Sequence, residues 1–129
     1  NKLKKIDNKW KKKPKWMVWD RVMIYIPEDG KVKMAKDAPG VLEKLIPNAT
    51  MVESGLLAET PYRMIREKTK GRGKKNKLAT AVSGKNVKGA ALIIKETADE
   101  YGEHTWGGMT AEEAGKWVGK LMRAKGNLA

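Results

Sequence analysis

Several residue types are absent or rare in this chain of 129 residues, and each absence excludes a class of function. Cysteine is absent, which excludes disulfides and thiolate chemistry. Histidine occurs once, at His104, which we expect to be a loop residue, and neither Ser54 nor Ser83 lies in a nucleophile elbow. The carboxylates do not follow an EF-hand pattern. We therefore expect no catalytic residue, no metal and no cofactor, and a protein that is not an enzyme.

Long apolar runs are absent as well. The longest, residues 22–26 and 90–94, are five residues each, whereas a membrane-spanning helix needs about 20. Neither basic segment of the chain accompanies a wide apolar face, so we expect no direct membrane ligand. Glutamine is also absent while lysine is abundant, a composition associated with hyperthermophiles.

The charge that is present is strongly positive and concentrated. Lysine and arginine number 28 against 15 aspartates and glutamates, for a formal net charge of +13. Residues 1–15 carry +7 and residues 63–77 carry another +7, whereas the remaining chain is nearly balanced. One charge run is typical of a solvated face, but two equal runs separated by balanced chain indicate a polyanionic partner. We predict that this partner is nucleic acid.

The basic residues of both segments are mostly lysines, and a lysine acts as a point charge on phosphate. No zinc-finger, RNP or basic-zipper pattern accompanies them, so we predict backbone contacts without sequence preference. If about half of these bases contact phosphates, log K falls with log salt at a slope of about −7. The predicted nucleic-acid-binding residues are Lys2, Lys4, Lys5, Lys9, Lys11, Lys12, Lys13, Lys15, Arg63, Arg66, Lys68, Lys70, Arg72, Lys74, Lys75 and Lys77.

Tryptophan is frequent for so short a chain, with five residues. Three of them lie in or beside the first basic segment, where aromatics interleaved with lysines can stack on the bases of single strands. The methionine and valine between them have no role in base stacking, which favours a protein contact within this molecule or with a neighbour. The predicted subunit contacts are Trp10, Trp16, Trp19 and Trp117.

The first half of the chain predicts an arm, a hairpin and a short helix. Residues 1–20 are expected to form an extended basic arm, with a helix over 2–13 that becomes ordered on binding. Residues 21–35 are expected to form a β-hairpin. Residues that favour β-strands flank a turn at 27–30, and the turn begins with a proline, whose ring fixes φ. A helix over 15–26 is the alternative to this hairpin. A short helix is expected to start at Pro39 and to end before Pro47.

The second half of the chain predicts three helices. The first of these helices begins at Thr60 and Pro61 and runs into the basic segment 63–77. Asn86 caps a second, which Gly102 ends. A capping box at 110–113 starts the third, with Ala114, Trp117, Val118, Leu121 and Met122 inward and Gly126 at its end. We therefore predict a mainly α fold: a small helical core with one β-hairpin over 21–129, preceded by the extended basic N-terminal arm.

The plan of the whole chain resembles the major capsid proteins of filamentous viruses that infect hyperthermophilic archaea. The resemblance is carried by the small size, the basic arm from Lys2 to Trp19, the helical part from Asn86 to Gly126, and the absence of cysteine and glutamine. It implies homo- or heterodimers that wrap double-stranded DNA in A form inside a helical virion, with the arm and 63–77 lining the DNA channel. A cytoplasmic ribosomal protein that binds RNA, or a chromatin-like protein of the nucleoid, has the same charge pattern, and both alternatives stay open.

Overall fold

The computed structural model describes residues 15–52, 57, 59–68 and 74–128. The strands are β1 (Val22–Ile26), β2 (Lys33–Lys36), β3 (Ala49–Val52), β4 (Tyr62–Glu67), β5 (Ala91–Ala98) and β6 (His104–Gly107). The helices are α1 (Val41–Leu45), α2 (Lys77–Ser83) and α3 (Ala111–Leu128), and a 3₁₀ helix at Lys15–Val18 precedes β1. The fold is mixed α/β with a six-stranded antiparallel sheet, so the prediction of a mainly α protein is wrong.

The order of the strands brings distant parts of the chain to one end of the sheet. The order is β2-β1-β5-β4-β3, and β6 pairs with the second half of β5 on the side where β1 pairs with its first half. Ile26, Ala91 and Arg66 lie in one row across the three central strands. Because β1 ends in this row, β4 ends one residue beyond it and β5 begins in it, the segments that follow β1 and β4 and the segment that precedes β5 meet at the same end.

The two helices predicted from Thr60 and from Asn86 are strands β4 and β5. The first four residues of β5 are all buried, since this strand is central and the sheet is covered on both faces. A strand buried on both faces has a continuous apolar run instead of an alternating one, and such a run is also compatible with a helix. The local pattern therefore could not separate the two structures.

Helices cover both faces of the sheet. On one face Ile24, Met64 and Ile93 pack in a core with residues of α2 and α3, including Trp117. On the other face Met23, Ile65, Leu92 and Ile94 pack with α1 and Ile46. None of the described helices is long and apolar enough to cross a bilayer.

Three local predictions are confirmed. The hairpin is present as antiparallel β1 and β2, and α1 ends before Pro47. The capping box of α3 is also present: Glu113 N donates to Thr110 Oγ1 at 3.2 Å, and Thr110 N donates to Glu113 Oε1 at 3.1 Å. The end of α3 differs from the prediction, because the helix continues past Gly126 and Met122 is exposed.

The last residues assigned to the arm belong to the domain. Trp16 and Trp19 are half-buried, and both pack against the core formed with α2 and α3. The rest of the predicted arm, including Trp10 and the helix over 2–13, lies outside the described residues. Trp16 and Trp19 are therefore part of the packed domain instead of the predicted arm.

Candidate nucleic-acid interface

One fully buried polar side chain organises the end of the sheet where β1 ends and β5 begins. Asn76 Nδ2 donates to Ile26 O and to Gly89 O, both at 2.9 Å. Asn76 Oδ1 accepts from Ala79 N at 3.0 Å and caps α2, while Asn76 N donates to Val87 O at 2.8 Å. This single residue ties together the end of β1, the start of α2 and the segment that leads into β5.

Lysines from three separate segments meet at this end. Lys75 and Lys88 face each other in an isolated antiparallel bridge. Lys125, in the last part of α3, donates from Nζ to Gly30 O at 3.0 Å. We call the following five residues, all exposed, the basic end: Lys74, Lys75, Lys77, Lys88 and Lys125.

A groove of about 640 Å³ runs along the basic end. All of its lysines except Lys88 line the groove. Leu78 and Leu128 add apolar surface, and the turn after β1 contributes Glu28 and Asp29. Lysines thus outnumber carboxylates, and the groove is a net positive surface suited to an anionic ligand.

The predicted binding residues of the second basic segment are divided by the fold. Lys74, Lys75 and Lys77 lie at the basic end. Lys68 is exposed at the same end of the sheet, where its N–H donates to Asn48 O at 2.9 Å, and Arg66, two residues earlier in the chain, is half-buried. Lys15 begins the 3₁₀ helix. The remaining predicted residues lie outside the described part: Lys2, Lys4, Lys5, Lys9, Lys11, Lys12, Lys13, Lys70 and Arg72.

Arg63 does not fit the prediction of a phosphate ligand. It lies near the start of β4, away from the basic end, and its side chain is 19% exposed. Its Nε is 3.1 Å from Glu96 Oε2, and its Nη1 donates to the backbone oxygens of Thr60 and Tyr62. Because a carboxylate already compensates its charge, we interpret Arg63 as a residue that stabilises the sheet.

Glu96 also contacts the single histidine. His104 Nδ1 lies 3.3 Å from Glu96 Oε1, and His104 is in β6 instead of the predicted loop. No group of three or more metal-ligating side chains occurs among residues 15–52, 57, 59–68 and 74–128. That no metal or cofactor binds stays a prediction.

Trp117 cannot make the predicted subunit contact, because it is only 2% exposed in the core under α3. Its ring meets the Tyr62 ring edge-on, with 5.4 Å between centroids, and Lys120 Nζ lies 4.6 Å from the centroid of the indole. Trp16 and Trp19 pack on the same core. These three tryptophans therefore use most of their apolar surface within the molecule.

Sequence reasoning missed Lys88 and Lys125, because residues 78–129 are nearly neutral as a segment. The six carboxylates of this segment lie in the second half of β5, in its hairpin with β6 and in the first turn of α3. Lys88 and Lys125 lie at the opposite end. Folding thus separates charges that an average over the sequence cancels. The one local signal was the base near the end of α3, where the helix dipole favours positive charge.

Glu113 joins α3 to the sheet through an ionic cluster. Its Oε2 accepts from Lys95 Nζ at 2.9 Å and from the Tyr62 hydroxyl. Burial raises the pKa of this carboxyl, but hydrogen bonds from Tyr62, Lys95 and Thr110 outweigh burial and lower its pKa to about 2. Burial, together with the hydrogen bond and the charge of Glu113, raises the pKa of Tyr62 to about 12. At neutral pH the hydroxyl is therefore the donor and the carboxylate the acceptor.

Replacing Glu113 by glutamine is expected to lower the free energy of unfolding at neutral pH but to have little effect near pH 2. Since folding lowers the pKa of Glu113 from 4.5 to about 2, its stabilising contribution is complete above pH 4.5 and is lost as the pH falls toward 2. Urea denaturation of both proteins across this range measures the difference. A difference that stays constant would show that the substitution acts through packing instead of charge.

Comparison with known proteins adds no relative. No protein-family model matches this chain, and no curated protein or solved structure does either. The resemblance to filamentous-virus capsid proteins therefore rests on the plan of the chain alone. One feature of that plan, a helical part from Asn86 to Gly126, is wrong. This part contains strands β5 and β6 as well as most of α3.

Proposed function

We propose that this protein is a structural, non-catalytic DNA-binding protein that coats double-stranded DNA without sequence preference, as a subunit of a nucleoprotein such as a viral capsid. The observation that carries the proposal is the basic end, where five exposed lysines from three segments form one surface. Contacts of this kind with phosphates supply the sequence-independent part of DNA affinity. The localisation that follows from the proposal is the virion or another packaged genome.

The chemistry of the basic end favours a duplex backbone over unstacked bases. Its apolar lining is aliphatic, from Leu78 and Leu128. Among the described aromatic side chains, the most exposed are Tyr101 and Trp106, in and beside the hairpin of β5 and β6 at the far end of the sheet. Single-strand binding proteins place aromatic platforms beside their basic groove, whereas a duplex offers phosphates with its bases stacked inside.

The net charge of the chain supports a coating role over an occasional contact. A charge of +13 on 129 residues opposes close approach of neighbouring copies through mutual repulsion. A duplex carries about one negative charge per 1.7 Å of its axis and would neutralise copies bound side by side. Dense packing of this protein therefore requires the polyanion, which is the behaviour of a packaging protein.

Titration of the protein into random double-stranded DNA, with a structured RNA as competitor, tests this function. The readout is the number of base pairs bound per protomer at saturation, measured by protection of the DNA from nuclease. We expect complete coverage at a fixed, small number of base pairs per protomer and equal affinity for unrelated sequences. Weak DNA binding with saturation at one protein per RNA molecule would contradict the proposal and support the ribosomal alternative.

A further inference from the structure

Three strands of the sheet pair on one side only, β2, β3 and β6, and the two outermost of them, β2 and β3, differ in charge. Strand β2 carries Lys33 and Lys36 at its two ends, and charged side chains on an edge strand oppose the addition of another strand. Strand β3 reads Ala-Thr-Met-Val and has no charged side chain, and its first three residues are half-buried. Within the described residues, no strand pairs with the outer side of β3. Among the described strands, β3 is therefore an uncharged outer edge at which another strand can pair.

The backbone groups that β3 presents outward follow from its register with β4. Lys68 N donates to Asn48 O, which makes that pair a hydrogen-bonded one. Pairs alternate along antiparallel strands, so Ala49 and Met51 occupy the non-hydrogen-bonded positions opposite β4. The N–H and C=O groups of Ala49 and Met51 therefore point away from the sheet.

We propose that β3 pairs antiparallel with β3 of a second copy, about a two-fold axis at Thr50. In this register Ala49 faces Met51 of the second copy, and each such pair exchanges two backbone hydrogen bonds. Thr50 faces Thr50 of the second copy, a cross-strand pair in which the hydroxyls can hydrogen-bond. If the axis lay one residue earlier, at Ala49, Met51 would face Pro47 of the second copy. Proline has no N–H to donate, so this register loses a hydrogen bond.

The positive charge of each copy links this dimer to the proposed DNA-coating function, on which this one step rests. Thr50 lies opposite Arg66, in the sheet row that ends at Ile26 and borders the basic end. Because the two copies run antiparallel, the axis places their basic ends on opposite sides of the joined sheet, and these ends point in opposite directions along the strands. The net charge of +13 on each copy weakens the dimer at low salt, whereas salt or a bound duplex neutralises this repulsion. We therefore expect added salt and bound duplex DNA each to promote pairing of the two β3 strands.

The proposed pairing is weak in free solution. A strand of four residues buries less than the roughly 1,200 Å² at which stable interfaces begin, so the dimer forms at high protein concentration or on DNA. A covalent trap detects such a contact. Since the chain has no cysteine, Thr50→Cys introduces a single thiol. In a non-hydrogen-bonded pair the Cα atoms are about 4.5 Å apart, within the range that a disulfide spans.

The experiment compares the rate of oxidative dimerisation of Thr50→Cys and Lys36→Cys at high salt without DNA. Lys36 is the matched control, because it is an exposed residue of the other outer strand. We expect Thr50→Cys to form disulfide dimers at least about tenfold faster, since only its thiols are held at disulfide distance. Addition of Met51→Lys to Thr50→Cys places a charge on the edge and is expected to reduce the rate to that of the control. Circular dichroism confirms that each variant is folded.

Equal rates for the two single-cysteine variants would overturn the proposed pairing. Random duplex DNA is then added at low salt and is expected to increase the ratio of the two rates. Both variants would dimerise faster by simple crowding on DNA, so the ratio is the informative quantity. If DNA does not bind while the preference for Thr50→Cys at high salt persists, the proposed function fails and the β3 pairing stands.

Discussion

Replacing Lys88 and Lys125 together by glutamine is expected to weaken binding to random duplex DNA about 60-fold at about 0.1 M salt. Each phosphate contact adds about 0.9 to the slope of log K against log salt, so two lost contacts reduce the slope by about 1.8. Both side chains are exposed, and the substitution does not disturb the core. Fluorescence anisotropy of a labelled duplex, repeated over a range of salt concentrations, measures the affinity and the slope.

Lys36→Gln combined with Lys116→Gln is the matched control. It removes the same charge from two exposed lysines, one in β2 next to Asp37 and one in the first half of α3, toward the acidic end of the molecule. We expect a slope change of less than about one, because long-range attraction to DNA is screened within about 10 Å. Equal losses in both double variants would show that total charge governs binding and that the basic end is not the interface.

These two lysines also show what the sequence could and could not predict about the site. A charge run is visible in any window of the sequence, and three residues of the second run, Lys74, Lys75 and Lys77, do lie at the basic end. Lys88 and Lys125 join them only because β1 and β5 are antiparallel and α3 ends beside the turn at Gly30. Those are pairings between residues far apart in the chain. No local pattern encodes them.

The difference between local patterns and contacts of distant residues also explains which helices and strands could be predicted. The hairpin, α1 and the start of α3 are encoded by neighbouring residues: a proline turn, flanking prolines and the capping box of Thr110 and Glu113. Strands β4 and β5 were misread, because a central strand is defined by the strands beside it. Helix α2 was not predicted, although its two caps, Asn76 and Gly84, are residue types that are typical of helix starts and helix ends.

Replacing Asn76 by alanine is expected to lower the free energy of unfolding by about 3–7 kcal/mol. Loss of the N-cap of α2 accounts for about 1 kcal/mol of this. The rest arises because Ile26 O and Gly89 O lose their donor, at about 1–3 kcal/mol for each carbonyl left without a partner. A domain of this size is stable by about 5–15 kcal/mol, so the change is a large fraction of the total. Urea denaturation monitored by tryptophan fluorescence measures it.

Two further variants separate the roles of the Asn76 side chain. Asn76→Ser keeps an oxygen that can cap α2 but has no group that reaches both carbonyls, so it should recover only about 1 kcal/mol of the loss. Asn86→Ala is the control at an exposed asparagine, where we expect a change within about 0.5 kcal/mol. If Asn76→Ala behaves like Asn86→Ala, the ends of β1 and α2 are held together by other contacts. If Asn76→Ser fully restores stability, the cap alone matters. A large loss that serine barely reduces would mean that one buried amide holds the lysines of the basic end in place.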